Sequence, residues 1–466
     1  MTPVVVVGGG LSGLAAAVRL TSHGVPPLLL EQRPYLGGRA YSFVDESTGT
    51  VIDNGQHVLI AGYSRTMAFL DLVGTHHLLA VQDIPELPFH HPSRGFCTFG
   101  LPRLPSPLHL AAGIIATDLF APADKVRMVR AGLALRRGRE AVTGGERARG
   151  SGAAGAAGHG LGAGDMTVEE WLDAHGQSAE TKRSFWEPLA IAIMNEHIAV
   201  ASASVFLRAV RTAFLADPHG AALALPTVGL SELFVDPARA YLERGGAAVR
   251  TGADVAEVVL EGDRVCAVKL RDGERVPCAG LVMALPPYRL PALLPVSLRD
   301  AGRLATAAGI PHSPIVSIHL WFDTDFMPER VLGVIGLHIQ WVFNRRKICG
   351  EGGGGGHLSV VISAGHSIVD LSNEELVRIA LDDLAAIYPS RVAAPVHDVV
   401  IREKRATFSC TPAVEPLRPG AETPVGNLFL AGDWTDTGYP ATIEGAIMSG
   451  NRAADLLREH LRLSSP

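Results

Sequence analysis

Gly8-Gly9-Gly10-Leu11-Ser12-Gly13 has the G-x-G-x-x-G spacing that brings a main chain against a pyrophosphate. Gly8 permits the turn, Gly10 lets the backbone approach the phosphates, and Gly13 lets a following helix pack on the preceding strand. Leu11 and Ser12 fall in the first turn of that helix, where free N–H groups and the positive dipole end favour an anion. Glu31 stands eighteen residues beyond Gly13. An acid there accepts hydrogen bonds from the ribose of an adenosine without a 2′-phosphate. These residues together predict dinucleotide binding.

Three further groups extend that chemistry. Glu31 is followed by Gln32 and Arg33, then by Gly37-Gly38-Arg39 with Ser42 three residues on. Gly38 allows a close approach to the cofactor, and Arg39 can neutralise pyrophosphate charge. A simple nicotinamide dehydrogenase has no need of this extension. Near the other end, Gly432-Asp433 interrupts the apolar run Asn427–Ala431, which places a carboxylate where ribityl hydroxyls can donate to it. The segment Gly438–Ala446, which includes Thr442 and Ile443, is predicted to lead into a helix with the small residues Ser449, Gly450, Ala453 and Ala454. Its N–H groups would face a flavin pyrimidine edge, where negative charge gathers on reduction. The cofactor expected is FAD.

The elements that must carry these residues are legible. Val4–Val7 is a β-branched apolar run suited to a strand buried on both faces. Leu14–Leu20 reads as the helix after the glycine turn, and Pro27–Leu30 as a second strand ending at Glu31. Segments 246–260 and 264–270, followed by Asp272-Gly273, read as strands joined by tight turns. Leu281–Pro287 reads as another buried strand, ending at the cofactor. The fold class expected is α/β, a discontinuous Rossmann-like FAD-binding domain from 1–75, 225–300 and 396–466. An α+β substrate domain from 76–224 and 301–395 is inserted into it. Two glycine-rich stretches, 144–164 and 352–356, read as flexible surface insertions. Thr167-Val168-Glu169-Glu170 is a capping-box helix start.

Composition excludes several classes. With 466 residues, 47 % hydrophobic and 19 % charged, the chain is globular and long enough for two domains. A net charge of −6 gives no reason to expect nucleic acid. Five scattered cysteines, none in a Cys-x-x-Cys pair, argue for a reducing compartment and against a zinc or disulfide framework. The uncharged stretch Pro3–Val18 lacks a preceding basic segment and is broken by four glycines, so it is not read as a signal peptide. The expected location is cytoplasmic. Leu104–Arg139 is apolar and then basic, fitting either core helices or a face resting on the inner surface of the cytoplasmic membrane. Phe206, Val210 and Phe214 recur at helical spacing, and line a hydrocarbon tunnel or pack in the core.

The glycine-rich front, the Gly37-Gly38-Arg39 element and the Pro440–Ala446 segment resemble the flavin-containing amine oxidase and phytoene desaturase superfamily. In that superfamily the residue matching Val255 meets the adenine through its backbone. Narrower still, Asp53-Asn54-Gly55-Gln56-His57, Phe185-Trp186-Glu187-Pro188-Leu189-Ala190, Ala201-Ser202-Ala203 and Gly432-Asp433-Trp434-Thr435 resemble the squalene-associated FAD-dependent desaturases, the hydroxysqualene dehydroxylases of bacterial hopanoid synthesis. The resemblance implies a long isoprenoid substrate, squalene- and hopanoid-pathway enzymes as partners, and Gly55, Gln56 and His57 beside the flavin ring. It implies reductive dehydroxylation, in which an acid helps the hydroxyl leave and reduced flavin supplies hydride. His57 is the first candidate for the acid, and a structural histidine is its alternative. Where the family has Leu-Asn-Thr-Pro, this chain has Met194-Asn195-Glu196-His197. Asn195 is retained as a second candidate, and the two new ionisable residues are expected to face solvent. The alternatives are a carotenoid-precursor desaturase, an amine oxidase enclosing its substrate with Trp434 and Tyr439, and a flavin-bearing scaffold with little turnover.

Overall fold

The computed structural model describes residues 2–147, 165–295, 298, 302–350 and 355–463. The four valines of β1 (Val4–Val7) are all buried, as β-branched residues in a strand covered on both faces should be. β1 lies at the centre of a five-stranded parallel sheet. Its order is Ala248–Arg250, β2 (Leu28–Leu30), β1, Gly280–Met283, Leu428–Leu430. Strands from the front, middle and back of the chain therefore sit side by side, and their ends converge on one edge. An antiparallel ribbon, Val255–Glu261, Arg264–Leu270 and Arg275–Pro277, follows the outermost strand.

The helix α1 (Leu11–Ser22) crosses from β1 to β2, and the long helix Ile443–Leu463 packs against it. Their approach is close because small residues meet. A side chain at Gly450 would overlap the Ser12 carbonyl and touch Ala15.

The second layer is a seven-stranded sheet in the order His397–Phe408, His312–Phe322, Gly356–Ile362, Trp341–Asn344, Val331–Val334, Glu86–His91, Gly95–Gly100. Along His312–Phe322 the pleat separates two environments. Val316, Ile318, Leu320 and Phe322 enter a core completed by Leu376, Ala380 and Leu384 of the helix Asn373–Ile387. Ile315 and Ser317, on the opposite face, turn toward a cavity. The strand His397–Phe408, expected with the nucleotide-binding part, pairs at the edge of this sheet along nearly all of His312–Phe322.

Helices close the other side of the cavity. Thr167 and Glu170 form the expected capping box on Val168–Ala174, and Ser202 caps Ala203–Phe214. On that second helix Phe206 and Val210 pack in the core, and Phe214 reaches the cavity. Of the two glycine-rich stretches, 144–147 continues the helix Pro122–Arg147, and 148–164 lies outside the described residues. Gly356 is not in a surface loop. It is buried and opens its strand opposite Phe322, where a side chain would come within 2.9 Å of the Thr324 carbonyl. Residues 351–354 lie outside the described residues. Among the described residues no helix is long and apolar enough to cross a membrane.

Candidate active site

One cavity of about 870 Å³ runs from the edge of the parallel sheet across the face of the seven-stranded sheet. Its first end is built from the glycine motif. Gly8 takes φ +107°, and a side chain there would strike the Ala284 carbonyl, so only glycine fits the turn. Gly10 caps α1 without any side-chain hydrogen bond, which leaves the N–H groups of the first helical turn open to a ligand. Gly10 and Gly38 face one another, and the nearest atom to a Gly10 side chain would be Gly38 Cα at 3.8 Å. This cradle of bare backbone at a helix N-terminus fits a pyrophosphate.

The other expected cofactor contacts line the same end: Leu11, Ser12, Glu31, Gln32, Val255, Gly432, Thr442 and Ile443. Gly13 lies behind the turn, where a side chain would overlap the Gly8 carbonyl. Glu31 is buried and held by Gly9 N–H at 2.6 Å and Arg33 N–H at 2.8 Å. Each of its carboxylate oxygens keeps a lone pair for a ribose hydroxyl. Arg39 donates to Asp433 Oδ1 at 2.7 Å and to the Ala406 carbonyl at 2.9 Å. The two motifs from opposite ends of the chain thus meet in a charged hydrogen bond. Thr442 caps the helix Ile443–Leu463 by accepting from Gly445 N–H.

Asn54, Gly55, Gln56 and His57 all line the cavity between its two ends. They are held from behind. The fully buried Arg345 donates to Gln56 Oε1 at 3.0 Å and lies 3.4 Å from Asp53 Oδ2. Asp53 Oδ1 in turn accepts from Ser42 Oγ and Leu230 N–H. Burial lowers the His57 pKa, outweighing the upward pull of the Asp53 carboxylate and the Arg39 carbonyl. Burial therefore favours the neutral ring.

The far end of the cavity is apolar. Phe343, Trp341, Val331 and Phe89 line it from the sheet, and Phe185 and Leu189 from the helices. Asn195 is buried at the end of the helix Glu187–Met194, with φ +51°. Its amide donates to the Ser313 carbonyl and to Thr407 Oγ1, and accepts from Ala364 N–H. Both amide hydrogens are used within the protein, so Asn195 ties two strands and the bend after a third together rather than offering donors to a substrate. The next residue corrects an expectation. Glu196 does not face solvent: the left-handed turn at Asn195 folds it inward, 2 % exposed, and Ser409 Oγ donates to it at 2.5 Å. His197 is exposed as expected and pairs with Glu187. Trp434 is fully buried, its indole N–H donated to the Leu285 carbonyl, and among the described residues Tyr439 is not part of the cavity wall. These two do not form an aromatic enclosure.

Three residues of this site had no motif to reveal them. Arg345 reaches Gln56 across 289 positions, and its neighbours in sequence carry no signal. Arg418 donates to four carbonyls of the loop that carries Asp433. Ser317 has a faint signal, a small polar residue alternating with aliphatics in a strand.

The model of the family "Flavin containing amine oxidoreductase" matches residues 11–458. The chain is 32 % identical to the hydroxysqualene dehydroxylase of Rhodopseudomonas palustris, covering 97 % of each. It is 30 % identical to that of Sinorhizobium fredii, again covering 97 % of each. Among solved structures, an oxidoreductase from Methanosarcina mazei superposes with a TM-score of 0.72 at 15 % identity, over 97 % of this chain and 100 % of that one.

Proposed function

The chain belongs to the flavin-containing amine oxidoreductase family, on the branch of the hydroxysqualene dehydroxylases, and we propose on that footing that it is an FAD-dependent enzyme replacing the hydroxyl of hydroxysqualene by hydrogen. The observation that carries this reading is the continuity of the cavity. The walls that fit a dinucleotide and the apolar walls that fit an isoprenoid enclose one space.

Bound and reduced, FAD supplies the hydride. The protein does the rest. The N-terminus of α1 and the backbone at Gly10 and Gly38 hold the pyrophosphate, Glu31 the ribose, and Asp433 the ribityl chain. Apolar walls keep out water, which would recapture a cation left by the departing hydroxyl. His57 is placed to bring the proton that turns the hydroxyl into water. Because burial lowers its pKa, the ring takes up its proton only at a pH lower than an ordinary histidine would.

Mixing anaerobically reduced enzyme with hydroxysqualene is expected to restore the oxidised flavin spectrum, faster at pH 5.5 than at pH 7.5 by more than about tenfold, the ratio an unshifted imidazole would give. His57→Gln is expected to keep its flavin and lose that pH dependence. Failure of the alcohol to reoxidise the flavin at any pH rejects the reading.

A membrane surface is the source of substrate most compatible with the outer face. In the helix Pro122–Arg147, Asp124, Met128, Ala131 and Leu135 turn inward. Outward lie Val126, Arg130 and Leu133, next to the exposed Leu108 and Ile115 of the helix Leu108–Ala116. Apolar side chains interleaved with arginine suit an anionic bilayer. The protein is expected to sediment with phosphatidylglycerol vesicles, and the double change Leu108→Glu, Ile115→Glu to weaken this about tenfold. Wild-type protein that ignores such vesicles at low salt contradicts it.

A further inference from the structure

The cavity face of the seven-stranded sheet is not uniform. Its apolar part, on the strands Trp341–Asn344, Val331–Val334 and Glu86–His91, gives way to three hydroxyls on neighbouring strands. These are Ser317 on His312–Phe322, Thr407 on His397–Phe408, and Ser363 just past Gly356–Ile362. Ser317 is 2 % exposed, and among the described residues its hydroxyl has no hydrogen-bond partner. Unlike the enclosed hydroxyl of Ser359, that of Ser317 opens onto the cavity, where the oxygen of a ligand can accept its hydrogen bond. Ser363 is buried, and among the described residues its hydroxyl has no partner either. Thr407 Oγ1 accepts from Asn195, which leaves its own hydrogen to donate into the cavity.

The place of these groups is specific. Ser317 Oγ and His57 Nε2 lie 3.7 and 4.0 Å from the point where a Gly55 side chain would begin. An unpaired donor and the candidate proton carrier thus converge on one side of the cavity, at the boundary between its two ends.

We propose that Ser317 is the specificity-determining residue for the substrate's hydroxyl, donating a hydrogen bond to the oxygen that leaves, with Ser363, one step past the Val316–Ile362 pair, extending the polar patch. The proposal rests on the dehydroxylase reading. The patch orients the alcohol so that its carbon faces the flavin and its oxygen faces His57, while the chain extends over the apolar strands. It selects an alcohol over the hydrocarbon product, which has nothing to pair with these hydroxyls, and so favours product release.

The test compares binding of hydroxysqualene and squalene to the oxidised holoenzyme, by perturbation of the flavin spectrum, for wild type, Ser317→Ala and Ser317→Thr. Wild type should prefer the alcohol by about tenfold, the worth of a buried neutral hydrogen bond. Ser317→Ala should bring the two ligands within about twofold, and Ser317→Thr should restore the preference. The melting temperature of Ser317→Ala should equal or exceed that of wild type, since no internal bond is lost. A merely structural serine would lower it. Ser317→Ala that keeps the full preference overturns this proposal alone. Wild type that turns over hydroxysqualene yet shows no preference also overturns it alone, whereas wild type that neither binds nor reduces the alcohol overturns the dehydroxylase reading with it.

Discussion

Leucine in place of Gly10 is expected to give a folded, colourless protein that retains less than about a tenth of the wild-type flavin. The backbone at Gly10 is extended, with φ −74° and ψ 176°, so a side chain is tolerated by the chain itself. The position of a first side-chain atom is open, with Gly38 Cα at 3.8 Å as its nearest neighbour. Folding is therefore spared. The leucine side chain would fill the space before the α1 N-terminus that a pyrophosphate needs, and would displace the most strongly held part of the dinucleotide. Gly13→Leu is the contrast. There the new atoms would overlap the Gly8 carbonyl and press on Ala284, so that variant is expected to misfold. Flavin content after gel filtration, read beside far-ultraviolet circular dichroism, separates the two. A yellow Gly10→Leu protein with full flavin would show that the cradle does not hold the cofactor.

Arg418→Met is expected to cost about 3–5 kcal/mol of stability and to strip flavin from the protein that remains folded. Arg418 has no exposed surface. Its guanidinium donates to the carbonyls of Asp433, Trp434, Thr435 and Tyr439, pairs with Glu415, and lies 4.6 Å above the Phe408 ring. Methionine fills much of the volume but leaves those acceptors unpaired inside the protein. It also removes the cation that opposes burial at Glu415, whose pKa is already raised by that burial. Because the loop from Asp433 to Tyr439 then loses its anchor, Asp433 loses its position beside the cavity. Denaturant melts of the holoenzyme and of the variant read the first effect, and flavin content the second. A melt within about 1 kcal/mol of wild type, with full flavin, would show that Arg418 is not the anchor.

The nucleotide end was legible because its chemistry is local. A four-valine strand, a glycine turn and a small-residue helix follow one another within twenty residues, and Glu31 comes at the end of the next strand. Apolar runs also found Leu428–Leu430 to within one residue at each end, and found Gly280–Met283 with its end carried four residues too far. The substrate end was far less legible. Its floor is one face of a sheet whose strands are drawn from positions 86–408, and which residues face the cavity depends on pairing that short apolar runs do not specify. Glu196 shows the limit well. A glutamate-histidine pair reads as solvated surface, yet one left-handed residue before it turns the carboxylate inward against Ser409. Arg345 and Arg418 act across distances no motif spans, each stabilising a cofactor segment that the sequence did announce. Arg39 and Asp433 were each expected to serve the cofactor directly, and the structure adds that they are bonded to each other.

Hydride from the bound flavin is expected to take the place of the substrate's hydroxyl. This is tested most directly by turning over hydroxysqualene with enzyme reduced anaerobically in deuterated buffer, so that flavin N5 carries deuterium. The expected product is squalene with one deuterium, on the former carbinol carbon or its allylic partner, with no product from oxidised enzyme. Recovered alcohol with the reduced enzyme, together with new double bonds in phytoene from the oxidised enzyme, would contradict it.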